Sequence, residues 1–182
     1  MSELFSIQLQ NRQQQGRDGV WLDLPTTTEQ VQAALRQIGI SSDNPQGLFI
    51  SGYFAEEEKR FAIPYNIVLA SNVDELNFLA SRLETLSTGE RAELNAALQA
   101  PQSELFSIGR ITDFPENVDY YVHLPDVHGP AQLGDYYLNR SGMVDMPEEW
   151  KGGIDTAQFG RYVAQQEQGV FTEYGYLVKS GD

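Results

Sequence analysis

Residues 20–39 read VWLDLPTTTEQVQAALRQIG and change from a strand-like to a helix-like repeat of apolar side chains. Val20, Leu22 and Leu24 occupy every second position, which is the period of a half-buried strand. The apolar positions that follow have the spacing of one helix face; they are Val31, Ala34, Leu35 and Ile38. This stretch therefore predicts a strand followed directly by an amphipathic helix.

The ends of that helix are also marked in the sequence. Thr26 and Glu29, after Pro25, form a capping-box pattern in which the glutamate side chain reaches back to the cap amide. Gly39 is placed to end the helix. We therefore expect a helix that begins near Thr26 and stops before Gly39.

Two more strands are predicted on either side of this stretch. Phe5, Ile7 and Leu9 alternate with polar residues, and residues 48–53 form a short apolar run. A polar loop with a glutamine run at positions 13–15 joins the first two strands, and the charged run 56–60 is predicted to be a solvated connection. Residues 1–60 are thus expected to form an α/β domain with an antiparallel sheet.

The middle of the chain has only the helical period. Asn72 with Glu75, and Ser87 with Glu90, repeat the capping-box pattern. Two apolar stripes follow these caps; they are Leu76, Leu79, Ala80, Leu83 and Leu86, and then Leu94, Ala97 and Leu98. Because Pro101 stops the second stripe, we expect a helical domain over residues 61–103.

Residues 104–182 are predicted to return to strands as a second α/β domain. The hexapeptide SELFSI occurs identically at residues 2–7 and 103–108. The repeat has two interpretations, a duplicated α/β unit or coincidence. The fold class expected from the sequence is α+β, built from three small domains.

The net charge is −14, from 26 acidic and 12 basic residues, and the sequence pI is about 4.4. The acids occur singly and in pairs between apolar and aromatic residues, as on the surface of a folded domain. Residues 104–182 hold 13 acids and 5 bases, which is more than half of the net charge. Such a field repels nucleic acids and membranes and attracts basic protein surfaces.

The sequence contains no recognisable catalytic apparatus. It has no cysteine, and no phosphate loop, nucleophile elbow, dinucleotide fingerprint or zinc-protease helix. His123, Asp126 and His128 could form a metal site, but the adjacent prolines and glycine favour an ordinary surface turn. We therefore expect no enzymatic activity, no metal and no cofactor.

Direct binding of nucleic acid is not expected either. Lys59 and Arg60 are the only adjacent basic residues, so the sequence offers no stripe that would neutralise phosphates. The N-terminal residues do not resemble a signal peptide, and no apolar run approaches the length of a membrane span. A cytoplasmic, soluble protein is the expectation.

Several segments, in order along the chain, resemble the ArdA antirestriction proteins. The strongest are NVDYYVHLPDV at residues 117–127 and LGDYYL at 133–138, which resemble the antirestriction motif of that family. FGRY at 159–162 and GVFTEYGY at 169–176 are similar to its closing signature. VWLDLP at 20–25 and DELNFLASRL at 74–83 agree with the family as well.

The resemblance implies an elongated, three-part α+β protein that forms a homodimer through its C-terminal part. It implies inhibition of type I restriction-modification enzymes, at their methyltransferase and specificity subunits, by imitation of the DNA that those enzymes bind. Family members are carried by mobile genetic elements. The chain departs from the family pattern at residues 128–132, which are neutral where relatives are usually acidic.

Two sets of candidate residues follow from this interpretation. The expected DNA-mimic surface comprises Asp113, Glu116, Asp119, Asp126, Asp135, Asp145, Glu148, Glu149, Asp155, Glu167 and Glu173. The motif and expected dimer interface comprise Tyr120, Tyr121, Leu124, Pro125, Val127, Leu133, Gly134, Tyr136, Tyr137 and Leu138. Two other functions remain open from the residues alone: an acidic adaptor for another basic DNA-binding protein, and a carboxylate-dependent hydrolase.

Overall fold

A computed structural model describes residues 3–14 and 16–180 of an α+β protein with two three-stranded antiparallel sheets. The chain divides into two compact units. The first unit comprises Met1–Ser87 and Leu105–Phe114, and the second comprises Thr88–Glu104 and Pro115–Asp182. The α+β class is confirmed, whereas the elongated, three-domain layout remains a prediction. Ser2 of the repeated hexapeptide and Gln15 of the glutamine run lie outside the described residues.

The first sheet contains the three strands predicted from the sequence. They are β1 (Phe5–Asn11), β2 (Val20–Leu24) and β3 (Leu48–Phe54), in the order β2-β1-β3. Ile7 lies opposite Leu22 on one side and Tyr53 on the other. Ile7, Leu9 and Leu24 are fully buried, so this register directs the apolar side chains into the core.

Helix α1 (Thr28–Gln37) follows β2, with its cap one residue later than predicted. The N-cap is Thr27, whose Oγ1 accepts a hydrogen bond from the backbone N–H of Gln30 at 3.4 Å. Thr26, the predicted cap, instead forms two backbone hydrogen bonds with the side chain of Asn77. Its N–H donates to Asn77 Oδ1 at 2.8 Å, and its carbonyl accepts from Asn77 Nδ2 at 3.0 Å. Gly39 ends the helix as predicted, with a φ of +71°.

The first unit also contains α2 (Tyr65–Leu69), α3 (Val73–Glu84) and α5 (Ile108–Thr112). Asn72 caps α3 as predicted, because its Oδ1 accepts from the N–H of Glu75 at 2.9 Å. The predicted apolar stripe of α3 is buried throughout. α3 packs against α5 and β2, so this stripe forms a large part of the core of the first unit.

The interpretation of the SELFSI repeat as a duplicated unit is wrong. In the first copy Phe5 begins β1 and is 2% exposed, whereas in the second copy Phe106 is 68% exposed. The second copy turns into α5, for which Ser107 is the N-cap. The strand orders of the two sheets also differ. In the first sheet the central strand is the one that comes first in the sequence of that sheet, whereas in the second sheet the central strand is the one that comes last.

The second unit is richer in helix than predicted. Its helices are α4 (Thr88–Gln99), α6 (Pro130–Asp135), α7 (Glu148–Lys151) and α8 (Thr156–Glu167), and its strands are β4 (Tyr121–Leu124), β5 (Val170–Thr172) and β6 (Gly175–Lys179), in the order β4-β6-β5. A π-helical turn, Tyr136–Arg140, extends α6. Residues 104–182 do return to strands, as predicted, but helices make up the larger part of this segment.

Helices α6 and α8 pack closely in the second unit. A Cβ atom placed on Gly160 of α8 would lie 1.7 Å from the carbonyl oxygen of Pro130 in α6. Val127, Leu133 of α6 and Tyr176 of β6 form a buried cluster, through which α6 packs against the second sheet. In residues 3–14 and 16–180, no helix is long and apolar enough to cross a membrane.

Candidate functional site

Most of the predicted acidic residues lie on the surface. Nine of the eleven are exposed, and they are Asp113, Glu116, Asp119, Asp126, Asp145, Glu148, Glu149, Asp155 and Glu173. Asp135 and Glu167 are half-buried. All except Asp113 belong to the second unit, so the acidic surface predicted from sequence is concentrated there.

Asp135 and Glu148 have cationic partners. Asp135 lies 3.4 Å from Arg140, and Glu148 lies 2.7 Å from Lys151. Ion pairs at a solvated surface contribute about 0–1 kcal/mol because water and salt screen them. These two pairs therefore contribute little to stability, but each offsets one negative charge at the surface.

Asp155 and Glu173 have roles in local structure. Asp155 is the N-cap of α8, and its Oδ1 accepts from the N–H of Gln158 at 3.0 Å. Glu173 and Gln99 form a reciprocal pair: Gln99 Nε2 donates to Glu173 Oε2 at 3.2 Å, and the N–H of Glu173 donates to Gln99 Oε1 at 3.1 Å. Both residues are exposed, so they add negative charge as well as supporting the fold.

Glu167 differs from the other predicted acids because its carboxylate accepts hydrogen bonds from two tyrosines. Tyr176, which is fully buried, donates its hydroxyl to Glu167 Oε2 at 2.9 Å, and Tyr137 donates to Oε1 of the same carboxylate. Burial, together with the hydrogen bond to this carboxylate, raises the pKa of both tyrosines above the ordinary range. Glu167 therefore joins the end of α8 to the core, which the sequence prediction did not foresee.

A second group of acids was missed by the sequence prediction. Glu93 of α4 is half-buried, and burial, followed by the charges of Glu90 and Asp119, raises its pKa to about 7. Burial and the nearby Glu104 and Glu93 also raise the pKa of Tyr121. The spacing of Glu90 and Glu93 by three residues on a predicted helix was the available signal, because such residues share a helix face.

The apolar residues of the antirestriction-like motif largely fill the interior of the second unit. Val127, Leu133, Gly134 and Leu138 are buried. These side chains pack within the chain itself and are not accessible to a partner.

The remaining motif residues are at least partly accessible. Tyr121, Leu124, Tyr136 and Tyr137 are half-buried, whereas Tyr120 and Pro125 are exposed. The rings of Tyr136 and Tyr137 meet edge to face with their centroids 5.4 Å apart. A dimer contact at the motif remains a prediction for these accessible residues.

The two histidines contact the backbone of the second unit. His123 Nε2 lies 2.7 Å from the carbonyl oxygen of Tyr174, and His128 Nδ1 lies 3.4 Å from that of Thr172. Among the residues that the structure describes, no three His, Asp or Glu side chains are grouped so as to hold a metal ion. The histidines thus connect β4 and the turn that follows it to the β5–β6 hairpin.

A family model described as Antirestriction protein (ArdA) matches residues 15–178, nearly the whole chain. The chain belongs to the ArdA antirestriction family. Membership gives it an antirestriction function, directed at restriction-modification enzymes. ArdA proteins are inhibitors and are not known as enzymes.

The extent of the match agrees with the motifs found in the sequence. It includes the antirestriction-like motif at 117–138, the C-terminal signature at 159–176 and the two earlier segments at 20–25 and 74–83. The ArdA match therefore covers most of the two compact units. No curated protein matches the chain significantly.

Proposed function

We propose that this ArdA protein inhibits type I restriction-modification enzymes by imitating DNA and occupying their DNA-binding cleft. The observation that carries the proposal is the exposed acidic surface of the second unit. This unit contains 14 acids and 5 bases, a net charge of −9, whereas the first unit has a net charge of −5. A protein cleft that binds the phosphates of DNA has the complementary charge.

The charged groups are held on a folded scaffold. Asp119 precedes β4, Asp126 lies in the turn after β4, and Glu148 and Glu149 begin α7. Fixed carboxylates lose less conformational entropy on binding than charges on a flexible chain would lose. This preorganisation supports a decoy for DNA, which also presents its charges at fixed spacing.

The magnitude of the charge suits a dimer of this chain. Two copies carry a net charge of −28, twice the −14 of one chain. Duplex DNA has one charge per roughly 1.7 Å of its axis, so the dimer corresponds to about 48 Å of duplex. We propose a two-fold homodimer, because a closed symmetric pair is the commonest form of assembly.

The test is competition for a type I methyltransferase bound to a labelled DNA site. The protein should displace the DNA with a midpoint that rises with salt concentration, because salt screens surface charge. Plating of unmodified phage on a type I restricting host should recover when the protein is expressed. An absence of displacement at a large excess of this protein would contradict the mimicry mechanism.

A further inference from the structure

One segment of the second unit combines a strongly exposed tryptophan with a high density of carboxylates. Residues 143–151 read MVDMPEEWK and contain three acids and one base. Trp150 is 66% exposed and Met143 is 74% exposed. Tryptophan and methionine are enriched in protein–protein interfaces relative to the rest of the surface.

The backbone around Trp150 is fixed on both sides. Its N–H donates to the carbonyl of Pro147 at 2.9 Å, and its own carbonyl accepts from the N–H of Gly153 at 3.0 Å. The neighbouring Lys151 is only 14% exposed and holds Glu148 at 2.7 Å. The indole is therefore presented by an ordered helical turn, α7, which lowers the entropy lost on binding.

The other exposed tryptophan is in a different environment. Trp21 lies on the face of the first sheet, and its Cη2 would contact a Cβ atom placed on Gly52 at 3.0 Å. Its ring thus covers the backbone of β3 and contributes to the packing of the sheet. Trp150 lies instead on a short turn beside Glu148 and Glu149, where its exposure is not needed to cover a strand.

The net negative charge of the 143–151 segment distinguishes between a second copy of this chain and a basic protein as its partner. If this segment formed the interface of a two-fold dimer, Asp145, Glu148 and Glu149 of the two copies would approach one another. Like charges placed opposite each other at an interface cost several kcal/mol. The segment is therefore unsuited to self-association and suited to a basic surface.

We infer that Trp150 is an anchor for the target enzyme, entering an apolar recess between basic side chains on its DNA-binding face. The inference rests on the proposed function and adds to it a contact that DNA itself does not make. The carboxylates beside Trp150 meet the basic residues, and the indole supplies contact that salt does not screen. Tryptophan is among the residues most often found as binding hot spots.

The experiment compares Trp150→Ala with Phe78→Ala, which truncates another aromatic side chain, 60% exposed, on α3 of the first unit. Competition against labelled DNA on a type I methyltransferase is measured over a range of salt concentrations. Trp150→Ala should weaken competition about 30-fold, the equivalent of a hot-spot loss of about 2 kcal/mol, at every salt concentration. Phe78→Ala should change it by less than about threefold.

The double variant Glu148→Gln/Glu149→Gln removes charge but keeps the indole, and so is compared with Trp150→Ala, which removes the indole but keeps the charge. It should reduce the dependence of competition on salt, whereas Trp150→Ala should leave that dependence unchanged. Trp150→Phe should restore most of the lost affinity. Light scattering and circular dichroism should show the wild-type mass and fold for every variant.

The outcomes separate the inference from the function on which it rests. If the wild-type protein does not compete with DNA, the mimicry proposal fails. If the wild type competes and Trp150→Ala competes equally well, mimicry stands and the anchor is refuted. A loss of dimer mass in Trp150→Ala would also refute the anchor, because the segment would then contact a second copy.

Discussion

Gly134 of α6 faces the backbone of Thr156 in α8 so closely that a Cβ atom on the glycine would lie 1.9 Å from the Thr156 carbonyl oxygen. The opposite contact, between Gly160 and Pro130, is equally tight. Because the obstructing atoms belong to the backbone, no side-chain rotation can make room for a methyl group. The two glycines of the family motifs therefore permit the close packing of α6 on α8.

We expect Gly134→Ala to lower the stability of the protein by about 1–3 kcal/mol or more, because the added methyl group would force α6 away from α8. Gly89→Ala is the matched control, since a Cβ atom there meets nothing within 4 Å and Gly89 lies in α4. Alanine is the better helix former by up to about 1 kcal/mol, so the control should be neutral or stabilising. Thermal unfolding measures both, and equal melting temperatures for the two variants would contradict the packing argument.

Removal of the Glu167 carboxylate should destabilise the fold rather than simply reduce the surface charge. Glu167→Ala leaves the hydroxyls of Tyr137 and Tyr176 without their acceptor, and an unsatisfied buried donor costs about 1–3 kcal/mol. We expect a melting temperature lower by about 2–4 °C per kcal/mol for a chain of this size.

Asp126→Ala, at an exposed turn, is the matched control for this loss of one charge. It should leave the melting temperature nearly unchanged. Glu167→Ala should also cost much less in a Tyr137→Phe/Tyr176→Phe background, which lacks both donors. An undiminished cost in that background would contradict the assigned role of Glu167.

Glu93 should make the stability of the protein depend on pH. Its carboxyl has a pKa of about 7 in the fold, against an ordinary value of 4.5, because burial and the charges of Glu90 and Asp119 favour the protonated form. The folded state therefore binds more protons than the unfolded state between these two values. This contribution to stability is complete below pH 4.5 and is lost as the pH rises through 7.

Glu93→Gln, which is neutral at all pH values, tests this expectation. The variant and the wild type should have similar melting temperatures near pH 4.5, and the variant should be the more stable at pH 8. Glu149→Gln, at an exposed position of α7, is the control for the loss of one carboxylate. A constant difference between Glu93→Gln and the wild type from pH 4.5 to pH 8 would refute the raised pKa.

Local signals predicted the first unit well because its elements depend on short-range patterns. The alternation in β1 and β2, the cap at Asn72 and the apolar stripe of α3 each lie within about a dozen residues. The SELFSI repeat was misleading because the residues that follow it differ. Gln8 continues the alternation in the first copy, whereas Gly109 and Arg110 continue a helix capped by Ser107 in the second.

The second unit was less predictable because its main helix was overlooked. Asp155 with Gln158, followed by Phe159, Tyr162 and Val163, is a cap and an apolar face that indicate α8. The role of Glu167 could not be read from sequence, because Tyr137 lies 30 residues away. The packing of Gly134 on Thr156 likewise joins residues that are distant in the sequence.

The contribution of charge to inhibition should be distributed over many carboxylates. Exposed Asp126, Asp145 and Glu149 each face solvent, and a single exposed charge pair contributes about 1 kcal/mol or less. We therefore expect each single Asp→Asn or Glu→Gln variant at these positions to weaken competition with DNA by less than about fivefold.

A graded series completes this test. Neutralisation of the three together with Glu116, Asp119 and Glu148 should abolish competition, provided that circular dichroism and light scattering show an unchanged fold and mass. Asp155 and Glu167 are kept intact in the series, because their loss would disturb α8 and the tyrosine pair. The distributed model predicts a progressive loss of affinity and of its salt dependence with each charge removed. Collapse of inhibition after one particular carboxylate, with the others silent, would show that a single charged contact dominates instead.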